Sequence, residues 1–157
     1  MTHSTVRYNY RLRPGVQAER VLLAEWDRGR WIWNQAVDAK RDRDRRLLKG
    51  SDLTAARARL GWLREGAQNP QEQVLYTFNA KTARKRKSKK RDLPSIAYSV
   101  NGFSIKSGRL CVAKCHPIPV VWHRDLPSVP SSVRVYRDSV GDWYASFVVT
   151  VEDEQLP

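Results

Sequence analysis

The chain is short of everything that covalent or metal scaffolding would need. Its 157 residues include two cysteines, Cys111 and Cys115, three histidines and one methionine. Two thiols cannot build a disulfide framework, and such a chain suits a reducing compartment. No apolar run approaches the ~20 residues of a membrane-spanning helix, and the N-terminus lacks the apolar core of a secretory signal. A soluble, cytoplasmic protein is expected, with no membrane partner. A glycine-rich phosphate loop, a nucleophile elbow and a His-Glu metal pair are also missing, so the common hydrolytic chemistries have no footing in the sequence. Acidic residues are scarce as well: 16 face 29 Lys and Arg, a formal net charge of +13. That balance calls for a polyanionic partner, nucleic acid first and an anionic membrane surface second.

From Thr5 to Arg13 apolar and polar residues alternate strictly, the period of a half-buried strand. Val6, Tyr8, Tyr10 and Leu12 take one face; Arg7, Asn9, Arg11 and Arg13 form a basic stripe on the other. Pro14-Gly15 ends the strand, and Ala18, Val21, Leu22 and Trp26 recur at helical spacing until Gly29, where the pattern is expected to break. A second helix is expected from Arg30 into the charged 40–49 region, and a third from Leu53 to Glu65 with Gly66 as its C-cap glycine. Asn69-Pro70-Gln71-Glu72 predicts a fourth helix with Asn69 as N-cap and Pro70 in its first turn. Beyond it, Lys81 to Arg91 is a run of like charge without an apolar face. Such a run is expected to fray until a polyanion orders it.

After Pro94 the pattern becomes β, with short strands around Tyr98, Phe103, Arg109–Ala113 and Ile118–Trp122, separated by Asn101-Gly102 and Ser107-Gly108 turns. Ser132–Asp138 and Asp142–Val151 predict a final hairpin across 139–141. One strand, then helices, then many strands implies that the first strand joins the later sheet. The expected fold is α+β: a small OB-like β-barrel interrupted by an inserted bundle of about four helices, with divisions at 1–14, 15–92 and 93–157. Trp26, Trp33, Trp62 and Trp143 lie on inferred apolar faces and are expected in cores. Tyr8, Tyr98 and Trp122 fit either a core or a base-stacking role.

Cys111, Cys115, His116 and His123 are the right residue types for zinc at the wrong spacing, so no metal or other cofactor is assigned and Cys111 is expected as a buried free thiol. The acids of Asp38 to Arg46 alternate with arginines, as surface ion pairs do. Glu152, Asp153 and Glu154 are consecutive and cannot converge on a metal pair from separate elements. No catalytic residue is assigned.

Four blocks in order, Tyr8-Asn-Tyr-Arg-Leu-Arg-Pro14, Arg30-Trp-Ile-Trp-Asn-Gln-Ala36, Trp62-Leu-Arg-Glu-Gly-Ala-Gln-Asn-Pro-Gln-Glu-Gln-Val-Leu75 and Val133 to Val149, resemble TnpB, the transposon-associated RNA-guided DNA endonuclease. Trp33-Asn34 stands where that family more often has Tyr-Asn, and 81–91 carries more charge than its usual bridge. The resemblance covers the N-terminal half of the family: a wedge barrel interrupted by a recognition domain. It implies that the RuvC nuclease acids lie beyond Pro157 or in a partner chain, so that this chain alone cuts nothing.

The partners so implied are a structured guide RNA and a target DNA duplex, with the protein nucleoid-associated when bound. RNA contacts are expected from Arg7, Arg11, Arg13, Arg30, Lys81, Arg84, Lys85, Arg86, Lys87, Lys89, Lys90, Arg91 and Arg124. By position in the family, Ser51, Thr54, Gln68, Asn69, Gln71 and Glu72 are expected at the duplex motif, where amides at a helix start can meet bases. The same six also fit a plain reading, with Asn69 capping and the rest solvated. The alternative function is a stand-alone basic RNA-binding β-barrel without a guided DNA target.

Overall fold

The computed structural model describes residues 3–42, 48–80 and 85–152. Strand β1 (His3–Leu12) buries Tyr8, Tyr10 and Leu12 and exposes Arg7, Asn9 and Arg11, as its alternation requires. Along its whole length it pairs antiparallel with the last strand, β7 (Trp143–Glu152), and at Arg11 and Leu12 it also pairs with β5 (Ile118–Val121). With β2 (Ser95–Ser99), β3 (Phe103–Lys106), β4 (Arg109–Val112) and β6 (Ser132–Arg137), the sheet runs β2-β6-β7-β1-β5-β4-β3. Every pairing is antiparallel, and the sheet curls into a nearly closed barrel. The helices lie in sequence between β1 and β2, an insertion into this OB-like barrel. Asp153 and Glu154 lie outside the described residues.

Two hairpins follow the expected turn chemistry. Ser107 and Gly108 both take positive φ, 51° and 72°, the twist that matches a two-residue hairpin between β3 and β4. Between β6 and β7 the Asp138 carboxylate accepts from the amides of Val140 (3.1 Å) and Asp142 (2.8 Å), while Gly141 takes φ 94°. Asn101-Gly102, by contrast, closes no hairpin: it lies in a 3-10 turn, and β2 and β3 end on opposite edges of the sheet.

The helical part departs from expectation in three places. Helix α1 (Val16–Arg41) runs straight through Gly29. One mid-helix glycine costs only about 1 kcal/mol. Here its bare Cα also admits a neighbouring helix, since an added Cβ would stand 3.3 Å from Val74 Cγ2. The expected third helix breaks at Leu60 (φ −110°, ψ 105°) into α2 (Gly50–Arg59) and α3 (Gly61–Arg64), which turns Leu63 fully inward. In α4 (Gln68–Ala80), Asn69 does not use its side chain as a cap. Its Oδ1 accepts from the Ser99 amide (3.0 Å) and its Nδ2 donates to Ser99 Oγ (2.6 Å), tying the helix to the end of β2.

Two cores result. The barrel interior holds Tyr10, Tyr98, Trp143 and Phe147 with Ala18 and Leu22 of α1; Ile32, Val37, Leu63 and Phe78 form a second core among the helices. Tyr8 and Tyr98 are buried, while Trp122, Trp26 and Trp33 pack partly buried against these cores. Trp62 is the exception to the core expectation, 41% exposed with the Arg28 guanidinium 5.8 Å from its ring centre.

The loop from α3 to α4 fastens the bundle to the barrel. Glu25 and Arg28 of α1, both buried, form an ion pair at 2.7 Å; Glu25 Oε2 accepts from the Ala67 amide (3.0 Å) and Arg28 Nε donates to the Trp62 carbonyl (2.7 Å). Arg57 donates to the Leu63 carbonyl (2.9 Å), and Lys114, from the loop after β4, donates to the carbonyls of Arg64 (2.8 Å) and Gly66 (3.2 Å). Gly66 is required for closeness rather than for a left-handed cap: Glu25 and Arg28 side chains occupy the space of a Cβ there.

Candidate nucleic-acid interface

A run of like charges cannot form its own secondary structure, because it lacks an apolar face and repels itself. In the described part, 85–92, α1 supplies the missing order. Trp33 Nε1 donates to the Arg86 carbonyl (2.7 Å), and the Asn34 amide accepts from the Ser88 N–H (2.7 Å) and donates to the Ser88 carbonyl (3.1 Å). Lys87 pairs with Asp38 at 2.9 Å, Lys85 stands 4.3 Å over the Phe78 ring, and Asp92 accepts from the Lys89 amide (2.8 Å). The expectation of a frayed segment is therefore corrected for these residues: backbone groups that the run cannot pair by itself are paired by side chains of α1. Lys81 and Arg84, two of the expected RNA contacts, lie outside the described residues.

The second basic surface is the outward face of β1, β7 and β6. Registers align Arg11 with Tyr144 and Tyr136, then Asn9 with Ser146 and Arg134, then Arg7 with Val148 and Ser132. Tyr136 and Tyr144 stack at 5.5 Å with planes 20° apart. Arg11 is held at 2.8 Å by Asp142, and Arg134 donates to Ser95 Oγ (2.8 Å). Desolvation first, and the Arg7 charge second, lower the Arg134 pKa, but an arginine stays protonated at physiological pH. Arg13 is exposed just past the strand, while Arg124 covers the Tyr8 ring at 4.1 Å. Arg134 and the tyrosine pair were absent from the sequence-based set, although the alternation that buries Val133 and Val135 already turns Arg134 and Tyr136 outward.

Between the two surfaces lies a groove of about 540 Å³ walled by α1, α4, the 86–92 segment and the edge strand β2. Arg30 belongs to its wall, as do Arg86, Lys87, Lys89, Arg91 and Arg134. The structure thus brings Arg30 and the 85–92 segment, a strap laid along α1, together with the sheet face at Arg134. Lys90 and Arg91 also border a neighbouring hollow near Pro94 and Asp138. Arg124 stands apart from the groove's lining.

The residues expected at a DNA motif divide. Ser51, Thr54, Gln68 and Glu72 are exposed, with Gln68 donating to Glu72 at 2.6 Å. Asn69 is committed to Ser99. Gln71 is 2% exposed, donating to the Leu63 carbonyl (2.9 Å) and accepting from Arg57 (2.8 Å). In this structure its side chain is turned to the α3–α4 loop. The candidate zinc ligands do not form a cluster of three among the described residues. Cys111 is half-buried on β4 rather than fully buried, Cys115 points its thiol to the Ala18 carbonyl (3.9 Å), and His123 stacks on Tyr10 at 4.6 Å. Among the described residues no three His, Cys, Asp or Glu side chains converge. Nor is any described helix long and apolar enough to cross a membrane.

No protein-family model matches the chain. A protein of Streptomyces pristinaespiralis named "Putative RNA-guided DNA endonuclease" is 32% identical over 101 residues, taking in 57% of this chain and 25% of that protein. The two are distantly related. The chain spans about a quarter of the length of that relative.

Proposed function

We propose that the chain holds a structured guide RNA and reads a short duplex motif beside a DNA target, as the non-catalytic module of a TnpB-like effector whose RuvC nuclease lies in another part or in a partner chain. The observation that carries this reading is the pre-ordered strap. The backbone of 85–91 is held to α1 at Arg86 and Ser88, so phosphate contacts form with less of the segment left to order. The arginines of the outward sheet face extend the cationic surface beyond Arg134. The distant relation to a protein named for RNA-guided DNA cleavage supports the choice of RNA over other polyanions. Phosphate contacts position, and the exposed Ser51, Thr54, Gln68 and Glu72 are the groups proposed to meet the DNA motif.

The test is to isolate the chain from its native host at high salt and sequence the RNA that stays bound. One discrete non-coding RNA is the expected result; a smear of cellular RNA would replace the proposal with the stand-alone RNA-binding reading. Replacing Arg86, Lys89, Lys90 and Arg91 by Gln lowers the slope of log affinity against log salt by about 0.7–0.9 for each phosphate left without its cation. An unchanged slope removes the strap from the interface. Metal-dependent DNA cleavage by this chain alone would overturn its non-catalytic assignment.

A further inference from the structure

The groove between bundle and barrel is built for more than phosphate. Six cations, Arg30, Arg86, Lys87, Lys89, Arg91 and Arg134, face two carboxylates, Glu25 and Asp92. Both carboxylates are engaged: Glu25 by Arg28 and the Ala67 amide, Asp92 by the Lys89 amide. Arg30 and Lys87 are paired with Asp27 (3.2 Å) and Asp38 (2.9 Å), which leaves Arg86, Lys89, Arg91 and Arg134 against Asp92, a net positive balance. Two buried polar atoms of its wall, Arg30 Nε and Ser88 Oγ, have no hydrogen-bond partner. A buried donor left unpaired costs about 1–3 kcal/mol, a local strain in this wall. The remaining wall suits a flat apolar ring: the indoles of Trp26 and Trp33, with Gly29 and Val74 between them. Gln73 and Thr77, one turn apart on α4, add hydrogen-bonding groups beside them.

We infer that this groove takes one unpaired nucleotide extruded from the bound RNA, its phosphate meeting Arg86, Lys89 and Arg91 and its base lying against the tryptophan side. At about 540 Å³ the groove falls in the range of roughly 300–1,000 Å³ that encloses a small organic ligand, ample for a nucleotide and too small for a duplex. The same positive surplus excludes a purely apolar occupant. This inference rests on the RNA-binding reading above and deepens it.

Two RNA hairpins of equal length test it, one fully paired and one with a single-nucleotide bulge. The intact chain is expected to bind the bulged hairpin about 5-fold or more tightly, the lower end of what stacking of one base supplies. Thr77→Trp, which fills the groove from α4 and removes no cation, is expected to abolish that preference while the paired hairpin still binds. A 4-thiouridine in the bulge should crosslink to the peptide carrying Trp26 or Trp33. Equal binding of both hairpins by the intact chain, or a crosslink elsewhere, overturns the groove assignment and leaves RNA binding standing. A variant that loses both hairpins equally also counts against the groove. Failure of the intact chain to bind either hairpin overturns the RNA-binding reading itself.

Discussion

Removing the carboxylate of Glu25 is the perturbation whose cost is best defined by the structure. Glu25 is 5% exposed and its partner Arg28 is 8% exposed, so Glu25→Ala leaves a guanidinium with little water and only the exposed Glu65 carboxylate, 4.0 Å away, as counter-charge. The Ala67 amide loses its acceptor in the same step. Breaking a buried ion pair from one side costs about 3–5 kcal/mol, because the orphaned charge keeps its desolvation penalty. At a urea dependence of about 2 kcal/mol per M for a domain of this size, the unfolding midpoint falls by about 1.5–2.5 M. Circular dichroism in a urea titration reads it directly. Glu25→Leu with Arg28→Met should recover the part of the loss due to charge, since two apolar groups leave no charge unpaired, while the Ala67 amide still lacks its acceptor. A second readout separates charge from packing. Burial first, and the Glu25 charge second, push the Cys115 thiol up to about 11, so Glu25→Gln should lower it. A loss below about 1 kcal/mol for Glu25→Ala, the value of an exposed pair, would refute this account of the junction.

Asn34→Ala removes both hydrogen bonds to Ser88, and trypsin cleavage after Arg86 and Lys87 should accelerate about tenfold while the global midpoint moves little, since roughly 1–2 kcal/mol of local order is lost. Unchanged cleavage would mean that the strap is held by something else. Cys115 should alkylate about a hundredfold more slowly than a peptide thiol at pH 8, because only about one molecule in a thousand carries its thiolate. The protonated forms of Cys115 and of Tyr98, whose pKa burial also raises, are the ones the fold favours. The Cys115 contribution is complete below about 9 and is lost as pH rises to about 11, so the urea midpoint should decline over that window, and the Tyr98 contribution begins to fall only above its ordinary value of about 10. Iodoacetamide kinetics followed by mass spectrometry check the first point, and a rate equal to that of a free thiol would contradict the burial.

Much of the barrel was legible because strands record their two environments in alternation. Val6 to Leu12, Val133-Val135 and Trp143 to Val151 each announce which face is dry, and Ser107-Gly108 announces its turn. The excess of Lys and Arg announced the class of partner, since net charge is a sum over residues and needs no coordinates. Local pattern could not say what lies across space from each residue. Gly29 reads as a break until Val74 is seen against it, and Asn69 reads as a cap until Ser99 claims both ends of its amide. Gln71 reads as solvated until Leu63 and Arg57 bury it. The strap is the sharpest case, because within 85–92 only the Asp92 turn onto Lys89 is local, and the groups that hold the rest, Trp33 and Asn34, lie more than fifty residues away. The sequence by itself determined the α+β barrel with its helical insertion and the basic character of the surface. Only tertiary packing decided where those charges are held and that a groove opens between strap and sheet, since both depend on contacts between residues far apart in the chain.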